Sequence, residues 1–159
     1  MQSNHVIFFD RRIGSIHGVL TLQRIGSKGE ALPMFKQLPA ASGQHPYTNG
    51  QADDWAIGKG PIPFGTHYLT TVREPLQMEP KGTPFYPIGS KPGSRIIEGP
   101  FGKRRTNVGL HLENRWPGSA GCIVLLHDTA ERRKTAMALF DTLDQLNRQG
   151  VLYIPVVVL

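Results

Sequence analysis

Glycine and proline interrupt this chain so often that most of it can form only short extended segments. The 159 residues include 18 glycines and 13 prolines, about a fifth of the chain, with no fixed period of the kind that collagen requires. They lie between short runs of β-branched and aromatic residues, which is typical of a turn-rich β domain. The length fits one ordinary domain, so residues 1–159 are predicted to form a single unit.

Short runs with alternating or β-branched side chains predict the strands. Two longer segments between predicted strands are rich in polar residues or in proline. Ser42–Gly60 is predicted to be a long loop, and Glu74–Gly93, which contains five prolines, an ordered surface loop or flap. The predicted strands are His5–Asp10, Gly18–Ile25, Leu32–Ala41, Thr66–Val72, Arg95–Glu98, Val108–Leu112, Cys122–Leu126 and Val151–Leu159.

One helix is predicted near the C-terminus. Asp128 is a favourable N-cap residue, and Glu131 three residues later completes an Asp-type capping box. Gly150 is expected to end the helix as its C′ residue. Apolar side chains repeat at intervals of three and four residues and predict one buried face, formed by Ala136, Leu139, Phe140, Leu143 and Leu146.

The excess of basic residues favours an anionic partner. The chain has 18 Lys and Arg against 12 Asp and Glu, a formal charge of +6, and nucleic acid, anionic lipid and bacterial cell wall are the candidates. The basic runs 103–105 and 132–134 have no interleaved aromatic residues, so nucleic acid is not expected as a partner. No apolar run is long enough to span a bilayer and no signal peptide is recognisable, so neither membrane insertion nor a conventional leader is expected.

The single cysteine is the first candidate for chemistry. Cys122 excludes an internal disulfide and a multi-cysteine zinc site, and the apolar run that follows it is also consistent with a buried, inert thiol. Gly121 allows a positive φ or a close approach of the backbone, and Ser119 has a hydroxyl within local reach. Cys122 also lies where a glycine-rich loop becomes a strand, so its thiol is expected at the mouth of the sheet. A nucleophilic thiol needs a partner that takes its proton.

Among the six histidines, His111 is the best-placed partner for Cys122. It belongs to a predicted strand, and a loop of about eight residues leads from that strand back to Cys122. A strand, a short loop and an adjacent strand are expected to bring the two positions together across a hairpin-like return. A structural histidine is the competing interpretation of His111 alone, but the combination with Ser-x-Gly-Cys is more specific than either residue.

The segment His111–Ile123, HLENRWPGSAGCI, resembles the active-site segment of the L,D-transpeptidase (YkuD-like) family, in which a histidine and a loop precede Ser/Thr-x-Gly-Cys. Gly60–Tyr68 is similar to the family's Pro-x-Gly-Thr-aromatic turn and strand, and Pro39–Gly43 to the preceding strand end. The resemblance extends in order from about Val6 to Leu126. It implies a mixed β-sandwich of the L,D-transpeptidase type, which agrees with a mainly β domain with one C-terminal helix.

Two features depart from the family pattern. The loop between histidine and serine is shorter than usual, and Ile123–Val124 follows the cysteine where family members usually have a substrate-binding arginine. The shorter loop is more similar to that of compact relatives that are phage-borne or secreted as toxins. Arg105, Arg115 and Trp116 are therefore the predicted substrate contacts.

The resemblance implies cysteine-dependent acyl transfer or hydrolysis on peptidoglycan stem peptides, with no cofactor and no metal. In this mechanism Cys122 attacks an amide carbonyl after its proton passes to His111. The backbone N–H groups of Gly121 and Cys122 are the candidate oxyanion donors. Ser119 is expected to orient His111 or to contact substrate, and a backbone carbonyl is the alternative orienting group.

Such an enzyme is expected to act as a monomer in the periplasm or outside the cell, as a secreted effector or toxin. A secretion machine and a cognate immunity protein are then further partners. Papain-like wall hydrolases place cysteine before histidine, and sortases separate the two residues by much more, so both are disfavoured. The main alternative is a non-catalytic, basic wall-binding or phage structural module with an inert cysteine.

Overall fold

The computed structural model describes residues 4–11, 18–35, 37–44, 55, 60–76, 82–113 and 118–159, with the backbone alone at 44 and 118–120. These residues form twelve strands and one α-helix. The strands are β1 His5–Asp10, β2 Gly18–Ile25, β3 Ala31–Pro33, β4 Leu38–Gln44, β5 Gly65–Thr70, β6 Glu74–Pro75, β7 Pro84–Gly89, β8 Ile96–Glu98, β9 Arg104–Thr106, β10 Gly109–Leu112, β11 Gly118–Leu125 and β12 Tyr153–Val158; the helix, α1, is Ala130–Arg148. The prediction of a mainly β chain with one C-terminal helix is confirmed.

Eight of the strands close on themselves in the order β1-β12-β5-β7-β10-β11-β4-β2, because β2 pairs back to β1. The pairs β1–β12 and β10–β11 are parallel, and the other six are antiparallel. β3 extends the sheet from β2, β6 pairs with β7, and β8 and β9 form a separate ribbon. The architecture is therefore a mixed barrel, in which closure pairs the edges that an open sheet would expose.

The helix lies against the same core that the strands enclose. Its five predicted core residues are all buried, and they share one cluster with inward-facing strand residues such as Leu69 and Ile154. On β7, the Tyr86 hydroxyl donates to the Asp144 carboxylate at 2.9 Å, and its oxygen also lies 3.2 Å from the Phe140 carbonyl oxygen. Burial of the apolar face, rather than intrinsic propensity, is the main source of stability for a helix of this length.

The start of the helix differs from the prediction by one residue. Thr129 is the N-cap, and its hydroxyl accepts a hydrogen bond from the backbone N–H of Arg132 at 3.1 Å. The Asp128 carboxylate instead accepts a hydrogen bond from the Arg132 guanidinium at 2.7 Å. The predicted capping box of Asp128 with Glu131 is therefore wrong. Gly150 follows the helix with φ +84, as its predicted role at the C-terminus requires.

The segment predicted as a surface flap contains a central strand of the barrel. β7 pairs with β5 on one side and with β10 on the other, and Tyr86 and Ile88 are completely buried. Pro84 is the first residue of the strand, a position that needs no ladder donor. Pro87 lies inside the strand, opposite Gly109, and the N–H of Ile88 after it binds the Val108 carbonyl at 2.9 Å. The flap prediction is therefore wrong for the part of the segment that the structure describes.

Several other strand boundaries differ from the predicted ones, most of all in β11, which begins at Gly118, so Cys122 lies inside a strand and not where a loop becomes one. The predicted strand Leu32–Ala41 consists of two strands, β3 and β4, and β4 continues through Gln44 into the segment predicted as a loop. Most of that predicted loop lies outside the described residues. Within the described part of the chain, no helix is long and apolar enough to cross a membrane.

Candidate active site

β10 and β11 bring His111 and Cys122 onto one face of the sheet. The strands pair in parallel, with His111 opposite Val124. Cys122 and Val124 pack in one cluster with Phe85, whose ring also lies next to the His111 ring, so Cys122 and His111 are on the same side of the sheet. The two residues lie on neighbouring strands, with Cys122 two residues before the position opposite His111, but the predicted hairpin-like return is wrong. The chain returns through the first half of β11, which pairs with β4, and only the second half meets β10.

This face is the outer side of the barrel. Leu110 and Ile123, the neighbours of His111 and Cys122 along their strands, belong to the interior core. On the outside, Cys122 forms a small second cluster with Ala41, Val124 and the partly buried Phe85. The Cys122–His111 face is thus physically separate from the core that stabilises the barrel.

Phe85 and Gly109 shape the wall next to the histidine. The Phe85 ring centroid lies 6.0 Å from that of the His111 ring, at an interplanar angle of 37°. A Cβ at Gly109 would overlap the Phe85 ring, so the absence of a side chain there lets the ring lie directly on β10. The aromatic ring therefore limits the positions that the imidazole can adopt.

A bulge in β11 carries Cys122. Ser119 pairs with Gly43 and Val124 with Ala41, so four residues of β11 lie opposite one residue of β4. Gly121, inside this bulge, has φ +108, a conformation that residues with a side chain rarely adopt and one of the two possibilities that the sequence left open for this glycine. Bulges redirect side chains and are common next to active sites. The extra residues shift Cys122 out of the regular ladder with β4.

The Cys122 thiol is in contact with the segment between β9 and β10. Its Sγ donates to the Asn107 carbonyl at 3.4 Å, and the residue is 9% exposed. A carbonyl oxygen only accepts hydrogen bonds, so in this arrangement the proton is on sulfur. For the thiol to give its proton to a base, it has to leave the Asn107 carbonyl.

The His111 imidazole is oriented by a backbone carbonyl. Its Nδ1 lies 2.6 Å from the Leu112 carbonyl oxygen, which places the proton on Nδ1 and the lone pair on Nε2. Burial lowers the pKa of His111, and the hydrogen bond to Leu112 opposes that shift only in part. His111 is therefore neutral near pH 7 and suited to act as a base at Nε2. The orienting group is the carbonyl that the sequence left as an alternative to Ser119.

Arg105 is turned into the protein rather than toward a substrate. It is 5% exposed, and its guanidinium donates to the carbonyls of Gly60 at 3.0 Å and Pro61 at 3.2 Å. A Cβ at Gly121 would overlap this guanidinium, so Arg105 packs directly against the residue before the cysteine. The prediction that Arg105 binds a substrate carboxylate does not fit this position, because its donors are directed at the main chain.

The other predicted site residues are only partly described. The backbone of Ser119 lies in β11 opposite Gly43, whereas its side chain is outside the described part of the structure. Arg115 and Trp116 also lie outside the described residues. Their contacts with substrate stay predictions.

Sequence reasoning missed a set of buried polar side chains around residues 60–63, a segment that we call the strap. Most of the side chains that bind its main-chain groups are far away in sequence, which no local pattern reveals; only His67 lies within four residues of its partner. Besides the two Arg105 bonds, the contacts are Ser42 Oγ with Ile62 N at 2.8 Å, Arg11 Nη1 with Ile62 O at 2.9 Å, and His67 Nε2 with Pro63 O at 2.8 Å. Arg11 also stacks on Phe64, with 3.8 Å between its Cζ and the ring centroid. The strap connects β4, β5 and β9 next to the bulge.

Among the described residues, no three side chains of His, Cys, Asp or Glu form a group that could bind a metal ion. Comparisons of the chain with protein-family models, with curated proteins and with solved structures found no match.

Proposed function

We propose that this protein is a cysteine acyltransferase or peptidase acting on peptidoglycan stem peptides, in the manner of the L,D-transpeptidases. One observation carries the proposal: Cys122 and His111 share a face of paired strands, and the histidine has its proton held on Nδ1 by a backbone carbonyl. A neutral imidazole in this tautomer is suited to take the thiol proton at Nε2. The resemblance of His111–Ile123 to the family's active-site segment suggests the substrate class. It also suggests that this barrel is related to the mixed β-sandwich of that family.

The first half of the reaction forms a thioester. The thiol of Cys122 leaves the Asn107 carbonyl, its proton moves to Nε2 of His111, and Sγ attacks the amide carbonyl carbon of the stem peptide. The carbonyl electron pair moves to oxygen, where the N–H groups of Gly121 and Cys122 are the candidate donors. Collapse of this intermediate breaks the C–N bond, and the departing amine takes the proton from His111.

The second half releases the acyl group. An amine or a water molecule attacks the thioester while His111 takes a proton from it, and the C–S bond breaks. The product is a new amide in transpeptidation or a carboxylic acid in hydrolysis. Cys122 leaves as the thiolate and recovers its proton from His111, so the enzyme returns to its starting state.

The site of action follows from the substrate. Stem peptides lie outside the cytoplasmic membrane, and a formal charge of +6 is complementary to an anionic wall. Delivery by a secretion machine and inhibition by a cognate immunity protein belong to the same proposal. Expression behind a periplasmic leader should cause swelling or lysis, whereas cytoplasmic expression should be harmless. Equal toxicity of a periplasmic Cys122→Ala protein would contradict a catalytic effect on the wall.

A second candidate function is a non-catalytic, basic wall-binding or phage structural module. The observation that favours it is the low exposure of Cys122, whose thiol donates to Asn107 as a structural cysteine would. In that case the histidine is a packing residue next to Phe85.

The experiment that separates the two candidates is incubation of the protein with purified stem peptides, with and without an amine acceptor, followed by mass spectrometry. We expect cleaved or exchanged peptides from the native protein and none from folded Cys122→Ala. Peptide or wall binding that is the same for both proteins, with no covalent change in the peptides, would establish the binding module instead.

A further inference from the structure

A buried serine connects the strap to the bulge that carries the cysteine. Ser42 is fully buried on β4, where it is the one residue opposite the four bulged residues of β11. Its Oγ accepts a hydrogen bond from Ile62 N at 2.8 Å and donates one to the Gly121 carbonyl at 3.3 Å. The hydroxyl thus replaces ladder hydrogen bonds that the bulge has disrupted.

The Gly121 carbonyl belongs to the same planar peptide group as the N–H of Cys122. In a trans peptide the C=O and the N–H point in opposite directions, so a hydrogen bond that fixes one also fixes the other. By binding the Gly121 oxygen, Ser42 sets the plane of this peptide and the direction in which the chain enters Cys122. The position of the Cys122 Cβ, and so the path of its thiol, depends on that plane.

Arg105 contacts the same glycine from another side. Its guanidinium occupies the space that a Cβ at Gly121 would fill, and it is held there by the carbonyls of Gly60 and Pro61. Gly121, with φ +108, therefore lies between a hydrogen bond at its oxygen and a guanidinium against its Cα. Both contacts lead back to the strap.

We propose that Ser42 is a positioning residue for the Cys122 thiol. Through the Gly121 carbonyl it keeps the bulge in the conformation that places the thiol on the His111 face, and Arg105 supports the same peptide from the strap. The consequence for turnover rests on the proposed function. The consequence for thiol reactivity does not, because alkylation needs no natural substrate.

The test measures the rate of Cys122 alkylation by iodoacetamide against pH in the full chain. The proteins compared are the native protein, Ser42→Ala, His111→Ala and the double variant. We expect Ser42→Ala to slow alkylation near pH 7 by about tenfold and to raise the midpoint of the pH profile toward that of His111→Ala. In the double variant the midpoint should move no further, since the loss of Ser42 has already uncoupled the two groups. Ser42→Thr keeps the hydroxyl and should restore the native midpoint.

Thr71→Val is the matched control. The Thr71 hydroxyl is also buried and also bridges two groups, accepting from Asn147 Nδ2 at 3.1 Å and donating to the Val151 carbonyl at 2.6 Å. It lies just after β5, on the other side of the barrel. We expect Thr71→Val to lower Tm, as Ser42→Ala does, and to leave the alkylation profile unchanged.

A folded Ser42→Ala protein with the native midpoint, or an equal shift in Thr71→Val, would overturn the proposal. If Ser42→Ala does not fold, Arg105→Lys becomes the test. It keeps the charge but loses the forked donation to two carbonyls, so the same upward shift is expected and an unchanged midpoint would refute the proposal. If stem peptides are turned over, kcat should fall in Ser42→Ala with KM unchanged. A shifted midpoint in a protein that does not act on stem peptides would support the role of Ser42 while refuting the proposed function.

Discussion

The two sides of this barrel are built in different ways. On the side formed by β1, β12 and β5, the β12–β5 ladder runs without interruption through six residue pairs, from Tyr153 opposite Thr70 to Val158 opposite Gly65. On the side formed by β4, β11 and β10, the β11–β4 ladder has two pairs, then an irregularity, then two more. The regular side depends on backbone hydrogen bonds and alternating burial, whereas the irregular side also depends on polar side chains such as Ser42 and Arg105.

The difference shows where chemistry is possible in such a fold. A regular ladder places each side chain either in the core or in solvent, and it leaves no position for a thiol held between the two. The bulge at Gly121 and Cys122 creates that position, and the strap and Ser42 compensate for the lost ladder bonds. Substitutions on the irregular side are therefore expected to change reactivity, and those on the regular side stability alone.

The largest effect is expected from Cys122→Ala. Turnover of stem peptides should disappear, because the nucleophile is lost, while the free energy of unfolding changes little, since a single sulfur is removed next to the outer surface. Urea unfolding and mass spectrometry of the products measure the two quantities. Activity that persists in folded Cys122→Ala would show that the irregular side does not carry the chemistry.

His111→Ala should lower turnover by about a hundredfold or more, as the loss of a general base usually does. It should also raise the pH at which the Cys122 thiol is alkylated. His5→Ala is the matched control, because His5 is another buried histidine and lies on β1, on the regular side of the barrel. An alkylation profile that is the same in His111→Ala and in the native protein would mean that His111 is not the partner of the thiol.

A substitution in the regular side should separate stability from reactivity. Ile154 on β12 is completely buried, so Ile154→Ala should lower the free energy of unfolding by about 2–5 kcal/mol through lost burial and a residual cavity. Below the unfolding transition, Cys122 should be alkylated at the native rate. A marked change in the alkylation rate of the folded variant would show that the regular side also controls the reactivity of the thiol, so that the two sides are coupled.

The smallest expected effect is a loss of stability in mild acid. Burial lowers the pKa of both His67 and His111 below the ordinary value of 6.5, while their backbone hydrogen bonds oppose the shift. The unfolded chain then binds more protons than the native protein below that value, so stability is complete above about pH 6.5 and decreases as the pH falls through it toward the native pKa values. Urea midpoints measured across this range should show the decrease.

Two variants divide this pH dependence between the sides of the barrel. His67 lies on β5, on the regular side, and His111 on β10, on the irregular side. His67→Asn and His111→Asn should each reduce the slope of the free energy of unfolding against pH. If neither variant changes the slope, other groups control the acid sensitivity.

Local patterns in the sequence were sufficient for the elements whose stability is local. The apolar repeat from Ala136 to Leu146 predicted the buried helix face correctly, and the apolar run His5–Asp10 and the alternation in Gly18–Ile25 predicted two strands with correct bounds. The sequence also left room at Gly121 for a positive φ or a close backbone approach, and φ there is +108. These features depend on periodicity and on short chain distances, which a sequence displays directly.

The remaining features depend on which distant strands meet, and only the tertiary structure determines that. The barrel closes because β1 pairs with both β2 and β12, and β7 becomes a central strand despite its prolines because β5 and β10 flank it. Ser42 binds a carbonyl 79 residues away, and Arg105 turns inward because the strap carbonyls lie there. Each of these contacts has its free energy set by burial and by partners far along the chain, so no local pattern specifies it.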